Sequence, residues 1–144
     1  MRLAGSERLT APSAALWAVL EDPERLAEAL PGVDDLVRNE DGSFEATIRP
    51  ALALGEVPFS TVWRPAGAVA GSELTYHVRG RSDEYELELH ARLRLTDDTV
   101  AWELDGGFTG TMRAVGQRVL EAIVRHQVEL VLAGAQRQAK GDGG

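Results

Sequence analysis

The spacing of apolar and polar residues changes period twice along this chain. Residues 2–9 alternate weakly and end at Thr10-Ala11-Pro12, which predicts a short strand and then a helix start. Proline suits a first helical turn, where its missing N–H would be unpaired anyway. Leu16, Trp17, Val19 and Leu20 follow at helical spacing. Asp22-Pro23-Glu24 is a second start: an N-cap carboxylate, proline at the first helical position, and an acid near the positive helix end. Pro31-Gly32 stops that helix. From residue 33 the period is two. Asp41-Gly42 reads as a hairpin turn between Leu36/Val37 and Phe44, Ala46, Ile48, and Pro50 predicts a bulge or a sheet edge. Val57, Phe59, Thr61 and Trp63 alternate next, and Pro65-Ala66-Gly67 ends the set in a loop of small residues running to Gly71.

A meander follows. With Ser82-Asp83 as a two-residue turn, Arg81 faces Glu84, Arg79 faces Glu86, His77 faces Glu88, Val78 meets Leu87 and Tyr76 meets Leu89. A turn at Asp97-Asp98 sets Arg92 against Glu103, His90 against Asp105, Leu93 against Trp102 and Leu95 against Val100. Opposite charges across strands contribute about 0.2–1 kcal/mol per pair and help fix register. After Gly106-Gly107 the period returns to 3.6 residues. Met112, Val115, Gly116, Val119, Ile123, His126, Gln127 and Leu130 share one face of a helix running to about residue 138. Val124, Val128 and Leu132 widen that stripe, either as packing within the domain or as a surface for a homodimer or partner. The glycines of 106–110 read as a strand-to-helix turn, with Thr109 or Thr111 as the cap. Without a repeat or linker, residues 1–139 form a single domain, and 140–144 are a tail expected to lack order.

The element order is a strand, two short helices, about six antiparallel strands and a long helix. That is an α+β class. An apolar sheet face must be covered, and the C-terminal helix is the only large apolar element available to cover it. The expectation is a curved antiparallel sheet wrapped around that helix, with a cavity between the two that would serve as a small-molecule site.

Composition narrows the function. A net charge of −8, from 23 acidic and 15 basic residues, lacks the footprint needed to hold a phosphate backbone, so nucleic acid is not an expected partner. With no cysteine, disulfides, thiolate metal sites and a cysteine nucleophile are excluded. The first residues lack the apolar core of a signal peptide, and no run approaches the ~18 apolar residues of a membrane span. A soluble, cytoplasmic protein is the expectation, with peripheral membrane contact left open.

Several strings resemble a known family. They are Ala11-Pro12 with Leu16-Trp17 and Leu20, then Asp22-Pro23-Glu24-Arg25-Leu26, Leu30-Pro31-Gly32-Val33, Phe44-Glu45-Ala46-Thr47, and Gly106-Gly107 with Val115-Gly116-Gln117-Arg118. Together with the element order they resemble the helix-grip superfamily of START, plant pathogenesis-related and polyketide-cyclase domains, and within it the CoxG family of carbon monoxide dehydrogenase. The most specific string is DPE-x-L-x-x-x-x-PG. The chain departs from the family at 79–86, charged where the family has a glycine-rich segment. The resemblance implies an accessory protein for molybdenum hydroxylases that carries a quinone, a lipid or a similar apolar molecule, or tethers the enzyme to the membrane.

The candidate binding residues follow from the inward faces. Phe44, Phe59, Trp63, Tyr76, Tyr85 and Trp102 all fall there; core packing accounts for most, and the rest can stack on a planar ring. Leu89 opposite Tyr76, with Met112, Val119, Ile123 and His126 on the last helix, completes the set. His126 either bonds a backbone carbonyl at the helix–sheet boundary or anchors a ligand carbonyl in the cavity. No metal site and no cofactor is expected, because His77, His90 and His126 show neither i, i+4 spacing nor an HExxH string. His77 and His90 instead point to solvent beside acids. No GxSxG string occurs, and Asp34-Asp35 and Asp97-Asp98 are turn chemistry. The leading reading is therefore a carrier rather than an enzyme. The alternatives are a cyclase/dehydratase using His126 or Tyr76 as an acid–base group, and a protein–protein adaptor with a filled core.

Overall fold

Both helix starts form where proline and carboxylate place them. In this computed structural model, which describes residues 1–29, 32–49, 58–83, 85–110 and 117–143, strand β1 (Arg2–Arg8) leads to helices α1 (Ser13–Leu20) and α2 (Pro23–Ala29). The Pro12 carbonyl accepts from the N–H groups of Ala15 and Leu16. Asp22 caps α2, its Oδ1 accepting from the Glu24 N–H at 3.0 Å. Leu30, Pro31, Pro50, Val57, Glu84, Met112, Val115 and Gly116 lie outside the described residues, as do the side chains of Tyr85 and Leu120.

Six more strands follow: β2 (Val33–Arg38), β3 (Phe44–Ile48), β4 (Phe59–Val69), β5 (Glu73–Arg81), β6 (Tyr85–Leu95) and β7 (Thr99–Gly110). They join β1 in one antiparallel sheet of order β1-β7-β6-β5-β4-β3-β2. Helix α3 (Gln117–Gly143) closes the chain. Alternation sends Phe44, Phe59, Tyr76, Val78, Leu89 and Trp102 to the buried inner face and sends ion pairs such as Arg79–Glu88 and Arg81–Glu86 outward.

The β6–β7 register is the one the charges predict, with His90 opposite Asp105, Arg92 opposite Glu103 and Leu93 opposite Trp102. The β5–β6 register is shifted by two residues. Arg81 faces Glu86, Arg79 faces Glu88, His77 faces His90, Val78 meets Leu89 and Tyr76 meets Ala91. A shift of two leaves every side chain on its own face, so neither the apolar set nor the charged set opposes it.

Three further expectations give way. Pro65-Ala66-Gly67 does not end a strand, because β4 continues to Val69 through a bulge between Pro65 and Gly67. β3 pairs with β4 only as far as Trp63, so Pro65 lies at an edge where its missing N–H costs no ladder bond. Gly106 and Gly107 are not a strand-to-helix turn but lie inside β7, opposite Leu89 and Glu88. Gly106 has φ +150°, and a Cβ there would lie 1.9 Å from the Glu88 carbonyl oxygen. Its close approach bends the strand instead of ending it, and Thr109 is a strand residue, not a cap, while Thr111, the alternative cap, lies outside the described residues. The tail expected to lack order is, over 140–143, the last turn of α3. Ala135 and Ala139 are fully buried and carry the helix on, while Lys140 suits its negative end.

α3 makes its close backbone approaches to α1 and α2 rather than to the strands. Gly134 allows this, since a Cβ there would lie 2.6 Å from the Ala29 carbonyl oxygen. Amide side chains complete the attachment. Gln136 Oε1 accepts from the Thr10 N–H at 2.6 Å and the Thr10 hydroxyl at 2.8 Å, and Gln136 Nε2 donates to the Arg8 carbonyl. Gln138 Nε2 donates to the Arg25 carbonyl at 2.9 Å. A link from α1 to the sheet comes from the Tyr76 hydroxyl, which donates to the Leu20 carbonyl at 3.3 Å.

Two outcomes follow from these bonds. Gln136→Met keeps the side chain's length but removes the acceptor from the Thr10 N–H and hydroxyl, which water can reach in part because Thr10 is exposed. Urea denaturation should find it less stable by about 0.5–1.5 kcal/mol. Burial first, then the nearby charges of Glu21 and Asp22, pushes the Tyr76 hydroxyl up from 10.0 to about 12. The folded state thus holds that proton more tightly than the unfolded state does. Its contribution is complete below pH 10.0 and is lost as pH rises from there to about 12. Denaturation across that window should show a loss of about 2–3 kcal/mol, and Tyr76→Phe should flatten the slope.

Candidate functional site

Between the inner face of the sheet and α3 lies a cavity of about 200 Å³. The strands bring Phe59, Trp63, Tyr76, Leu89 and Trp102 to its wall, and α3 contributes Ile123. These six come from the residues the sequence pattern selects. Phe44 is among the buried residues behind the wall, its ring stacked on Trp63 at 5.5 Å and 11°. Tyr76 stands edge-on to both rings, at 6.1 Å from each. Phe44 therefore supports the lining without belonging to it.

On α3 the expected face is turned. Val119 is 47% exposed, His126 is exposed, and neither lines the cavity. The helix turns Ile123, Val124, Gln127, Val128, Val131 and Leu132 inward instead. The strip Val124–Val128–Leu132, read as an addition to the core face or a surface for a second copy, is the face that roofs the cavity. The signal that finds it is downstream: continued by helical steps, Val124, Val128 and Leu132 lead to Ala135 and Ala139, the buried small residues where the helix meets α1 and α2. Leu20 and Leu26 from the short helices and Leu87 and Phe108 from β6 and β7 also reach the wall. Pairing arithmetic misses Phe108 because the glycines before it read as a strand end. Met112 lies outside the described residues.

The lining is apolar, and its few polar atoms sort into two groups. Trp63 Nε1 donates to Thr61 Oγ1 at 2.9 Å, and that hydroxyl donates to the Ala46 carbonyl at 2.6 Å. With the Tyr76 bond to Leu20, these groups are satisfied within the protein. Gln127 Nε2 and Trp102 Nε1, both buried, have no hydrogen-bond partner among the described residues. The Trp102 indole edge lies over Gly5 of β1, and the Arg125 guanidinium sits 5.3 Å from its ring centre. Arg125 itself is tied to the Ala4 carbonyl at 3.1 Å. Arg92 and Glu103 border the cavity from strands whose charged side chains are exposed. Among the described lining residues, Tyr76 is the titratable group with its polar end buried. An amide that can both donate and accept, set in an apolar chamber, suits an uncharged molecule with one polar atom.

Among the described residues, no helix is long and apolar enough to cross a membrane. No curated protein matches the chain in sequence. Solved structures match its fold. A conserved protein from Geobacillus kaustophilus shares 17% identity at a TM-score of 0.90, over 100% of this chain and 98% of that one. A START superfamily protein from Mycobacterium smegmatis shares 10% identity at a TM-score of 0.73, over 97% of each chain. The Zhui aromatase/cyclase from Streptomyces sp. R1128 shares 14% identity at a TM-score of 0.72, over 97% of this chain and 93% of that one. These likenesses make the fold START-like, a sheet gripping a C-terminal helix. The model of the carbon monoxide dehydrogenase CoxG family matches residues 5–139, and the chain belongs to that family.

Proposed function

We propose that the protein is a non-enzymatic carrier that binds a hydrophobic, planar small molecule, a quinone or a lipid-like compound, in the sheet–helix cavity. The observation that carries this reading is an apolar chamber of about 200 Å³ in which the buried Gln127 amide has a donor without a partner. An empty apolar cavity of about 150 Å³ is large enough for benzene, so this one has room for one or two fused rings. A long isoprenoid or acyl chain would not fit with its head and would extend past the half-buried rim. A bicyclic ring burying on the order of 200 Å² would gain about 5 kcal/mol from desolvation. One hydrogen bond from Gln127 adds about 1 kcal/mol, which together corresponds to a dissociation constant in the tens of micromolar.

The cyclase reading needs a proton-transferring group against the ligand. His126 faces away from the cavity, and the Tyr76 proton is held to about 12 and directed at Leu20. Both favour binding over turnover. The adaptor reading needs an outward apolar strip, and Val124, Val128 and Leu132 face inward. As a member of a family named for carbon monoxide dehydrogenase, the carrier would serve a molybdenum hydroxylase of that kind, delivering or accepting the apolar molecule.

Titration with menaquinone and ubiquinone analogues of short tail, followed by quenching of tryptophan emission, tests the reading. Binding in the tens-of-micromolar range is expected, with quenching because Trp63 and Trp102 line the cavity. Val128→Phe, which puts a ring into the chamber where the ligand would lie, should abolish it without lowering the melting temperature. Gln127→Leu should weaken quinones by about fivefold and leave a plain hydrocarbon ring such as naphthalene unaffected. Absence of binding across the panel, or binding that survives Val128→Phe, would reject the proposal. Co-purification with a molybdenum hydroxylase expressed alongside tests the partner separately.

A further inference from the structure

The outer face of the sheet is laid out in rows of charge, and one row is different in kind. The two-residue shift between β5 and β6 puts His77 directly opposite His90. Their rings stack with centres 4.5 Å apart and planes 13° from parallel. Glu88 lies on the same face two residues before His90, and His77 Nε2–H donates diagonally to its Oε1 at 3.0 Å. One donor atom from each of the three side chains lies within 4.8 Å of the others. His77 is half-buried, while Glu88 and His90 are exposed. Opposite Glu88 on β7 stands Gly107, where even a Cβ would meet nothing within 4 Å, so the space beside the cluster is open.

We propose that His77, Glu88 and His90 form a surface binding site for a divalent transition-metal ion such as zinc, cobalt or nickel. Two imidazoles and a carboxylate are the donor set such borderline ions favour. Ligand bonds of about 2.0–2.1 Å around a tetrahedral ion place the donors roughly 3.4 Å apart. Closing the present spacing to that value takes rotation of the exposed His90 and Glu88 side chains and a splaying of the stacked rings that turns their in-plane nitrogens toward one ion. The pleated backbone fixes the two histidines across from each other, so little order has to be created on binding. Three protein ligands leave a coordination position for water or another molecule's side chain. The surrounding charges are mixed. Asp105 lies opposite His90, while Arg64 lies opposite His77 and Arg79 reaches Glu88 at 3.8 Å. That exposed ion pair contributes little and can be displaced. The site is on the far side of the sheet from the cavity and does not depend on the carrier reading.

The test uses the untagged full chain. Zinc is titrated by calorimetry, and cobalt by its visible absorption, at neutral pH. Binding of one ion per chain is expected. His77→Ala and His90→Ala should each weaken it on the order of a hundredfold, and Glu88→Gln about tenfold. His126→Ala, on the exposed face of α3, should leave it unchanged. Melting of each metal-free variant reports whether it folds. Should one fail to fold, imidazole shifts of the unaltered chain on adding zinc still decide the matter, because His77 and His90 must move and His126 must not. A chain that takes up neither metal, or affinity that survives loss of both histidines, would overturn the proposal.

Discussion

The buried amide of Gln136 ties the second half of α3 to the end of β1, taking both Thr10 donors and giving one to Arg8. Around it, Gly134, Ala135 and Ala139 let the helix backbone press against α1 and α2. Small residues make that contact tight, and a tight contact fixes where the helix points. The first half of α3 is held by a longer arm, the Arg125 guanidinium bonding the Ala4 carbonyl of β1 and lying over the Trp102 ring. It carries Ile123, Val124, Gln127 and Val128 over the sheet and leaves Val119 in solvent. The helix is thus pressed tightly at one end and serves as a roof at the other, where a side-chain arm and not backbone packing ties it to β1, and the space beneath is left unfilled.

The sheet supplies the other wall by bending. Gly106 permits β7 to pass against Glu88 where no side chain could, and the Met1 amino group and carbonyl pair with Gly106, so the residue just before β1 is fixed at the bend. On the opposite side, the stack of Phe44 on Trp63 with Tyr76 edge-on forms a rigid floor. Trp63 and Tyr76 satisfy their polar ends inside the protein, which leaves apolar ring surface for the cavity. Gln127 is the contrast: its amide nitrogen is buried and unpaired among the described residues. A polar group in that state is costly in an apolar setting, and a ligand oxygen would relieve it.

The family strings and the alternation of the strands were legible in the sequence because both are local. Asp22-Pro23-Glu24 caps a helix by its own atoms, and the Asp97-Asp98 turn sets the β6–β7 register by chain length alone. The β5–β6 register was not legible, since the loop after Arg81 is longer than a tight turn and a shift of two residues conserves both faces. The phase of α3 was lost for a related reason. Its apolar positions cover more than one face, and only the packing of Gly134, Ala135 and Ala139 on α1 and α2 selects which of them looks inward. His126 and Val119 were drawn into the site by a periodicity that fits equally well a third of a turn away. What the sequence withheld was in each case a choice between arrangements that local energies do not separate.

The cavity also has a cost that bears on why it persists. Residual cavity volume in a core costs about 24 cal/mol per Å³, so a chamber of about 200 Å³ forgoes up to about 5 kcal/mol of packing. A domain's whole stability is only about 5–15 kcal/mol. Shrinking the chamber would take no more than exchanging valines at 128 and 131 for larger side chains, an ordinary step for an apolar core. The chain has instead placed short β-branched residues along the roof, kept large rings on the floor, and retained one amide among them. That pattern is what an interior shaped to receive something looks like. The outer face makes the converse point: there the strand register, which contributes nothing to the cavity, decides that two histidines meet, so the two faces of one sheet can carry separate chemistry from a single pairing.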